Sequence, residues 1–189
     1  MKILLIGDSH GYYTLPLLTD LLVEEDHEVD YLYNNGWASY SYTQKPNELK
    51  AKLEKDPDLV IVSLGGNNHY LNQDIYGTEV SAFLDVLDYP KRNIVWMGPK
   101  FSTQESTQKR HLWTHDFLTN YLPSDISYLN MMQYEFPIGS DGVHYPKSSY
   151  EMMIEDVYPK LKKAMKKSTW PFIVMGLGGL AIWYGLQKR

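Results

Sequence analysis

At 189 residues the chain has the length of one domain with a sizeable core. Its content, 43% hydrophobic and 22% charged, is that of a globular protein, and the absence of cysteine excludes disulfides, thiolate metal sites and a cysteine nucleophile. The net charge of −5 is unevenly placed: residues 1–159 hold all 23 acidic residues against 11 Lys and Arg, a balance of −12 that argues against nucleic acid as a partner.

The chain opens on Lys2-Ile3-Leu4-Leu5-Ile6, too short for the apolar core of a secretion signal and followed at once by glycine, so it reads as a buried strand. Residues 12–25 set Tyr13, Leu17, Leu18, Leu21 and Leu22 at helical spacing. Val29, Tyr31 and Tyr33 alternate as in a strand, and residues 34–45 read as a polar, aromatic loop. A helix over 46–55 buries Leu49 and Leu53, and Leu59-Val60-Ile61-Val62 is a buried strand stopped by Gly65-Gly66. Residues 78–88 form a helix, Ile94-Val95-Trp96 a strand, 105–121 a helix and Ile126-Tyr128-Leu129 a last strand. A helix over 148–166 closes the series.

Five apolar strands alternating with helices predict an α/β fold with a parallel sheet covered on both faces. The expected architecture is a three-layer αβα sandwich, flavodoxin-like, with strand order 2-1-3-4-5. Residues 1–160 form its one compact domain.

Beyond a basic stretch at 161–168, Thr169 to Leu186 runs without a charge. As a helix it is about 27 Å long, close to the roughly 30 Å of a bilayer's hydrocarbon core. Trp170 stands at one end and Trp183-Tyr184 near the other, as interfacial aromatics do. Residues 169–187 are therefore expected to be a transmembrane helix in contact with the lipid bilayer, and Gly176, Gly178 and Gly179 suit helix packing and oligomerisation there. Five lysines at 160–167 against two basic residues beyond the span keep residues 1–159 on the cytoplasmic side by the positive-inside rule. A tail-anchored protein fits, as does a component of a membrane-containing virus particle.

In such sheets sites form beyond the carboxyl ends of the strands. The residues there are Gly7-Asp8-Ser9-His10, Asn34-Asn35-Gly36-Trp37, Gly65-Gly66-Asn67-Asn68-His69 and, before the last helix, Asp141-Gly142-Val143-His144. A serine, a histidine to take its proton, a carboxylate to orient the histidine and neutral donors for an oxyanion are the parts of acyl transfer. Ser9 also has the chemistry of a helix N-cap. Gly7-x-Ser9-x-Gly11 imitates the nucleophile elbow of α/β-hydrolases, but eight residues cannot supply the strands and oxyanion loop that precede that elbow.

Together the four blocks resemble the SGNH hydrolases, or GDSL-type esterases, over roughly residues 1–160. The resemblance implies a serine esterase with Ser9 as nucleophile, His144 as base and Asp141 as its partner. It implies an oxyanion hole of Ser9, Gly36 and Asn67. Asn68 departs from the family pattern, which has Asp there. His10, Asn68 and His69 adjoin these blocks as pocket-lining candidates. No cofactor or metal is implied. His10, His69 and His144 invite a metal-site reading that no clustered carboxylate spacing supports, and His111 and His115, four apart on one helix, have zinc-pair spacing but read as solvated. Family substrates include acetylated sugars, peptidoglycan, lipids and small esters, so the expected substrate is an ester of a glycan or a lipid, with O-acetyl groups on a polysaccharide or peptidoglycan favoured. The competing expectation is a catalytically silent protein of the same fold with a binding or structural role.

Overall fold

The computed structural model describes residues 1–68 and 71–186, with side-chain surroundings through Lys166. The elements are β1 (Lys2–Gly7), α1 (Gly11–Val23), β2 (Glu28–Tyr33), α2 (Ser39–Gln44), α3 (Asn47–Leu53), β3 (Leu59–Ser63), α4 (Gln73–Val86), β4 (Asn93–Met97), α5 (Glu105–Tyr121), β5 (Ser127–Leu129) and α6 (Lys147–Leu186). The sheet is five-stranded and parallel in the expected order, β2-β1-β3-β4-β5.

Alternation along β1 explains the three layers. Ile3 and Leu5 join the apolar cluster under α1 and α6, with Leu15, Leu18, Met153 and Val157. Leu4 and Ile6 face the other way, against Leu49, Val80, Phe83 and Leu118 of α3, α4 and α5. Successive side chains of a strand point to opposite faces, so a sheet buried on both sides needs continuous apolar strands. Each such buried leucine contributes roughly 1.5–3 kcal/mol.

Gly7 of β1 lies opposite both Tyr33 of β2 and Ser63 of β3, which is itself opposite Met97 of β4. The strands thus end in line, and the loops that follow them meet above one edge.

Three local expectations are corrected. Residues 34–45 are not all loop: α2 forms because Tyr42 is buried and donates its hydroxyl to Gly7 O at 2.6 Å, while Ser41 Oγ accepts the Ala38 N–H at 3.2 Å. Helix α4 starts at Gln73 rather than residue 78, because Asn72 Oδ1 accepts the N–H groups of Asp74 and Ile75, each at 3.0 Å. The core also continues past residue 160, since Leu161, Ala164 and Met165 extend the buried stripe of α6. Two of the lysines there are engaged: Lys162 pairs with Glu25 at 2.7 Å and Lys160 donates to the Tyr134 hydroxyl at 2.7 Å. Among the described residues no helix is long and apolar enough to cross a membrane, and the side chains of the apolar segment 169–187 lie outside them.

Candidate active site

Ser9 sits in the turn between β1 and α1. Gly11 N–H donates to Asp8 O at 2.9 Å, which closes that turn. A Cβ on Gly11 would come within 3.0 Å of Tyr33 Cβ, so the helix start presses directly on β2. The glycine that completed the false elbow is therefore needed for packing. The N-cap position of α1 is His10, and no side chain caps it. Ser9 Oγ instead lies 3.0 Å from His144 Nε2.

The loop carrying Asp141 and His144 is held from several directions. Asp141 Oδ1 accepts the N–H groups of Val143 and His144, both at 2.9 Å, while Oδ2 faces His144 Nδ1 at 2.7 Å. Those two N–H groups, with the histidine ring, hold the Asp141 carboxyl down at about 2. Gly142 turns the loop at φ +72°, where a Cβ would meet Gln104 Cγ and Thr103 Oγ1, each at 2.9 Å. Its carbonyl accepts the Ser102 hydroxyl at 2.7 Å and the Thr103 N–H at 2.9 Å. The Asp141–His144 loop is thereby bound to the segment after β4.

Asn67 and the loop after β2 are also brought together. Asn67 Nδ2 donates to Trp37 O at 3.3 Å and Asp8 Oδ2 at 3.4 Å. Trp37 N–H closes a turn onto Asn34 O at 3.2 Å, with Gly36 at φ +73° in its third position, and nothing stands within 4 Å of a Cβ built there. The side of Gly36 that a side chain would occupy is open.

The lining candidates fare differently. Asn68 is only 2% exposed and donates to Thr114 Oγ1 at 3.0 Å, so it faces α5 and does not line a surface pocket. His10 is buried, with its ring centroid 5.1 Å from that of His144, so it supports the His144 ring from inside. His69 lies outside the described residues. His111 is not solvated: its Nδ1 and Nε2 lie 2.6 Å from Lys100 O and 3.1 Å from Gly66 O. His115 Nδ1 meets the Tyr128 hydroxyl at 2.8 Å. Among the described residues no three His, Cys, Asp or Glu side chains group as a metal site requires.

Beneath the site lies a buried polar layer with little sequence signal. Burial raises the Asp8 carboxyl, opposed by the charge of Lys100. Burial lowers the Lys100 ammonium, opposed by Asp8, and Lys100 donates to Ser63 Oγ at 3.2 Å. Burial also holds His10 well below the ordinary histidine range, and its Nδ1 lies 2.7 Å from the Tyr150 hydroxyl. Lys100 and Tyr150 were not legible as neighbours of the site. The one is a lone lysine after Gly98-Pro99, the other one aromatic on a helix.

No family model matches the sequence, and no curated protein matches it. Solved structures do. The psychrotrophic esterase EstA from a Pseudoalteromonas species aligns with TM-score 0.65 at 17% identity, over 87% of this chain and 98% of that one. The acetyl xylan esterase AlAXEase aligns with TM-score 0.65 at 13% identity, over 85% and 99%. A lipolytic protein of the G-D-S-L family from Desulfitobacterium hafniense aligns with TM-score 0.59 at 18% identity, over 82% and 95%. At these identities the shared property is the fold.

Proposed function

We propose that this chain, which has the SGNH-hydrolase fold, is a serine esterase acting through an acyl-enzyme. The carrying observation is the continuous relay from Ser9 Oγ to His144 Nε2 at 3.0 Å and from His144 Nδ1 to Asp141 Oδ2 at 2.7 Å. The esterases among the solved structures of the same fold support the reaction class.

Ser9 Oγ attacks the ester carbonyl while His144 Nε2 takes its proton. The carbonyl π pair moves to oxygen, where the N–H groups of Ser9 and Gly36 and the Asn67 amide donate to it. Collapse breaks the C–O bond, and His144 returns the proton to the departing alcohol. Water then attacks the acyl group by the same route and leaves the carboxylic acid and free Ser9. Asp141, ionised throughout, keeps the imidazole oriented and stabilises its charged form.

O-acetyl groups on a polysaccharide are the proposed substrate, and residues 169–187 the proposed bilayer anchor. Helix α6 supports that pairing. It leaves the catalytic loop at Lys147 and reaches the far end of α1, where Tyr158 donates to Leu21 O at 2.9 Å and Lys162 pairs with Glu25. Its course from Lys147 to Lys166 is about 28 Å long. An anchor following it holds Ser9 far from the bilayer, which suits a soluble ester better than an embedded lipid. The lysines before the span favour a cytoplasmic domain, or one displayed within a membrane-containing particle.

The test is hydrolysis by the full chain in detergent of 4-nitrophenyl esters from acetyl to long acyl. Ser9-dependent turnover that falls with acyl length is the expected result. Its absence on every ester overturns the reading. Protease protection in intact vesicles decides the side of the membrane.

A further inference from the structure

We infer that a ladder of tyrosines beside Ser9 is a stacking subsite for the backbone of a neutral polysaccharide. The inference rests on the esterase reading and extends it to how the substrate is held. Tyr31 stacks on Tyr33 with centroids 6.3 Å apart and planes 16° apart, and Tyr33 meets Tyr12 edge-on at 5.7 Å. Tyr12 meets Tyr13 edge-on at 4.7 Å, and Tyr13 stacks on Tyr150 at 5.1 Å. Tyr150 then reaches His10, whose ring packs on His144. Rings thus run without a break from the outer strand of the sheet to the catalytic histidine.

The outer members are not core. Tyr12, Tyr13 and Tyr31 are 52%, 39% and 38% exposed. Contiguous exposed aromatic surface marks an interaction site. Tyr12 N–H donates to Ser9 O at 3.4 Å, which places this residue within one helical turn of Ser9. Each exposed ring is braced by the next, so little side-chain freedom remains to be lost on binding.

Charge selects the occupant. Residues 3–44 carry every ladder member except Tyr150 and contain seven Asp and Glu but no Lys or Arg. Asp30 pairs with Lys52 and Lys55, Glu25 pairs with Lys162 and Asp8 is buried, which leaves Asp20, Glu24, Asp26 and Glu28 as the negative charge that disfavours polyuronates and anionic headgroups. Tyrosine rings accept the C–H faces of pyranoses, and their hydroxyl edges exchange hydrogen bonds with sugar hydroxyls. An uncharged, O-acetylated glycan meets both demands, with one sugar on the rings and its neighbour's acetyl ester at Ser9.

The test uses the full chain in detergent. Native gels are cast with neutral glucomannan, acetylated or deacetylated, or with anionic polygalacturonate. Neutral glucomannan is expected to retard wild type and Ser9→Ala but not the Tyr12→Ala, Tyr13→Ala, Tyr31→Ala triple variant. The ratio of kcat/KM on acetylated glucomannan to that on 4-nitrophenyl acetate falls at least about tenfold in the triple variant, through KM. Tyr12→Trp with Tyr13→Phe restores both readouts. Should the triple variant fail to fold, Tyr12→Ala alone gives the same direction. No retardation of wild type by glucomannan, equal retardation of the tyrosine variants, or equal retardation by polygalacturonate overturns the inference. Tyrosine-dependent retardation without turnover of any ester overturns the esterase reading alone.

Discussion

Ser9 Oγ and His144 Nε2 meet at 3.0 Å although 135 positions separate the two residues in the chain. One is delivered by the end of β1, the other by the loop before α6, and the sheet brings these ends together. A serine so placed is expected to react covalently with a fluorophosphonate. Ser9→Ala abolishes the label and lowers kcat by about 10³-fold or more. Intact-mass measurement of the labelled chain checks the first outcome. A label that persists in Ser9→Ala places the nucleophile elsewhere.

Asp141→Asn separates orientation from packing. The amide oxygen can keep both backbone N–H groups that Oδ1 now accepts. The amide nitrogen then faces His144 Nδ1 and selects the tautomer that cannot take the Ser9 proton. A loss in kcat of about 10²–10⁴ is expected, with a melting temperature near neutral pH that falls modestly because the charged carboxylate's hold on the loop is lost. In the wild type the carboxyl value is lowered from 3.8 to about 2. Its stabilisation of the loop is therefore complete above 3.8 and lost as pH falls toward 2. Carboxyl carbon shifts of Asp141 followed by NMR between pH 5 and 1.5 check the midpoint.

The sheet order and all five strands were legible because each strand is a short continuous apolar run between turn residues, a strong signal in a buried parallel sheet. Ser9 and Asn67 stand out in the sequence because they closely follow β1 and β3, whereas Asp141 and His144 are marked by their spacing just before the last helix. What escaped depends on contacts between distant segments. Nothing local in SYSYTQ marks a helix, because α2 is held by Tyr42 reaching Gly7. Asn68 adjoins Asn67 in sequence yet points to Thr114, a choice made by the packing of α5. Nothing in the Gly7-Asp8-Ser9 stretch marks Asp8 as buried, yet the fold buries its carboxylate and sets Lys100 against the cost.

Gly142→Ala tests whether the catalytic loop is set by its backbone. A left-handed residue with a side chain costs about 1–2 kcal/mol, and the new methyl would press on Gln104 and Thr103 at 2.9 Å. The strain falls on a loop outside the sheet, although Gly142 is buried and Tyr145 beside His144 joins the core cluster. The expected result is a small drop in stability with a loss of kcat of about tenfold or more, because His144 is displaced from Ser9. Equal melting and equal kcat would show that the loop tolerates the change.

His10 sets an acid limit on the fold. It is buried and its value is lowered well below the ordinary 6.5 by burial first, then by the charges of Lys100 and His144. The folded protein therefore holds His10 neutral, while the unfolded chain binds a proton below 6.5. Stability from this residue is complete above that value and is lost as pH falls toward the folded one. The slope reaches at most about 1.4 kcal/mol per pH unit. His111, also lowered by burial, adds a term of the same sign, while Asp8, raised by burial, contributes in the opposite sense. His10→Leu removes the first term and leaves the other two. Urea unfolding at pH 7.5 and pH 5 is expected to show a smaller loss of stability on acidification in His10→Leu than in wild type. The variant also lacks the group facing the Tyr150 hydroxyl, so its stability at pH 7.5 falls by about 1 kcal/mol. An identical acid loss in the two proteins would mean that His10 takes up its proton in the fold at the same pH as in the unfolded chain.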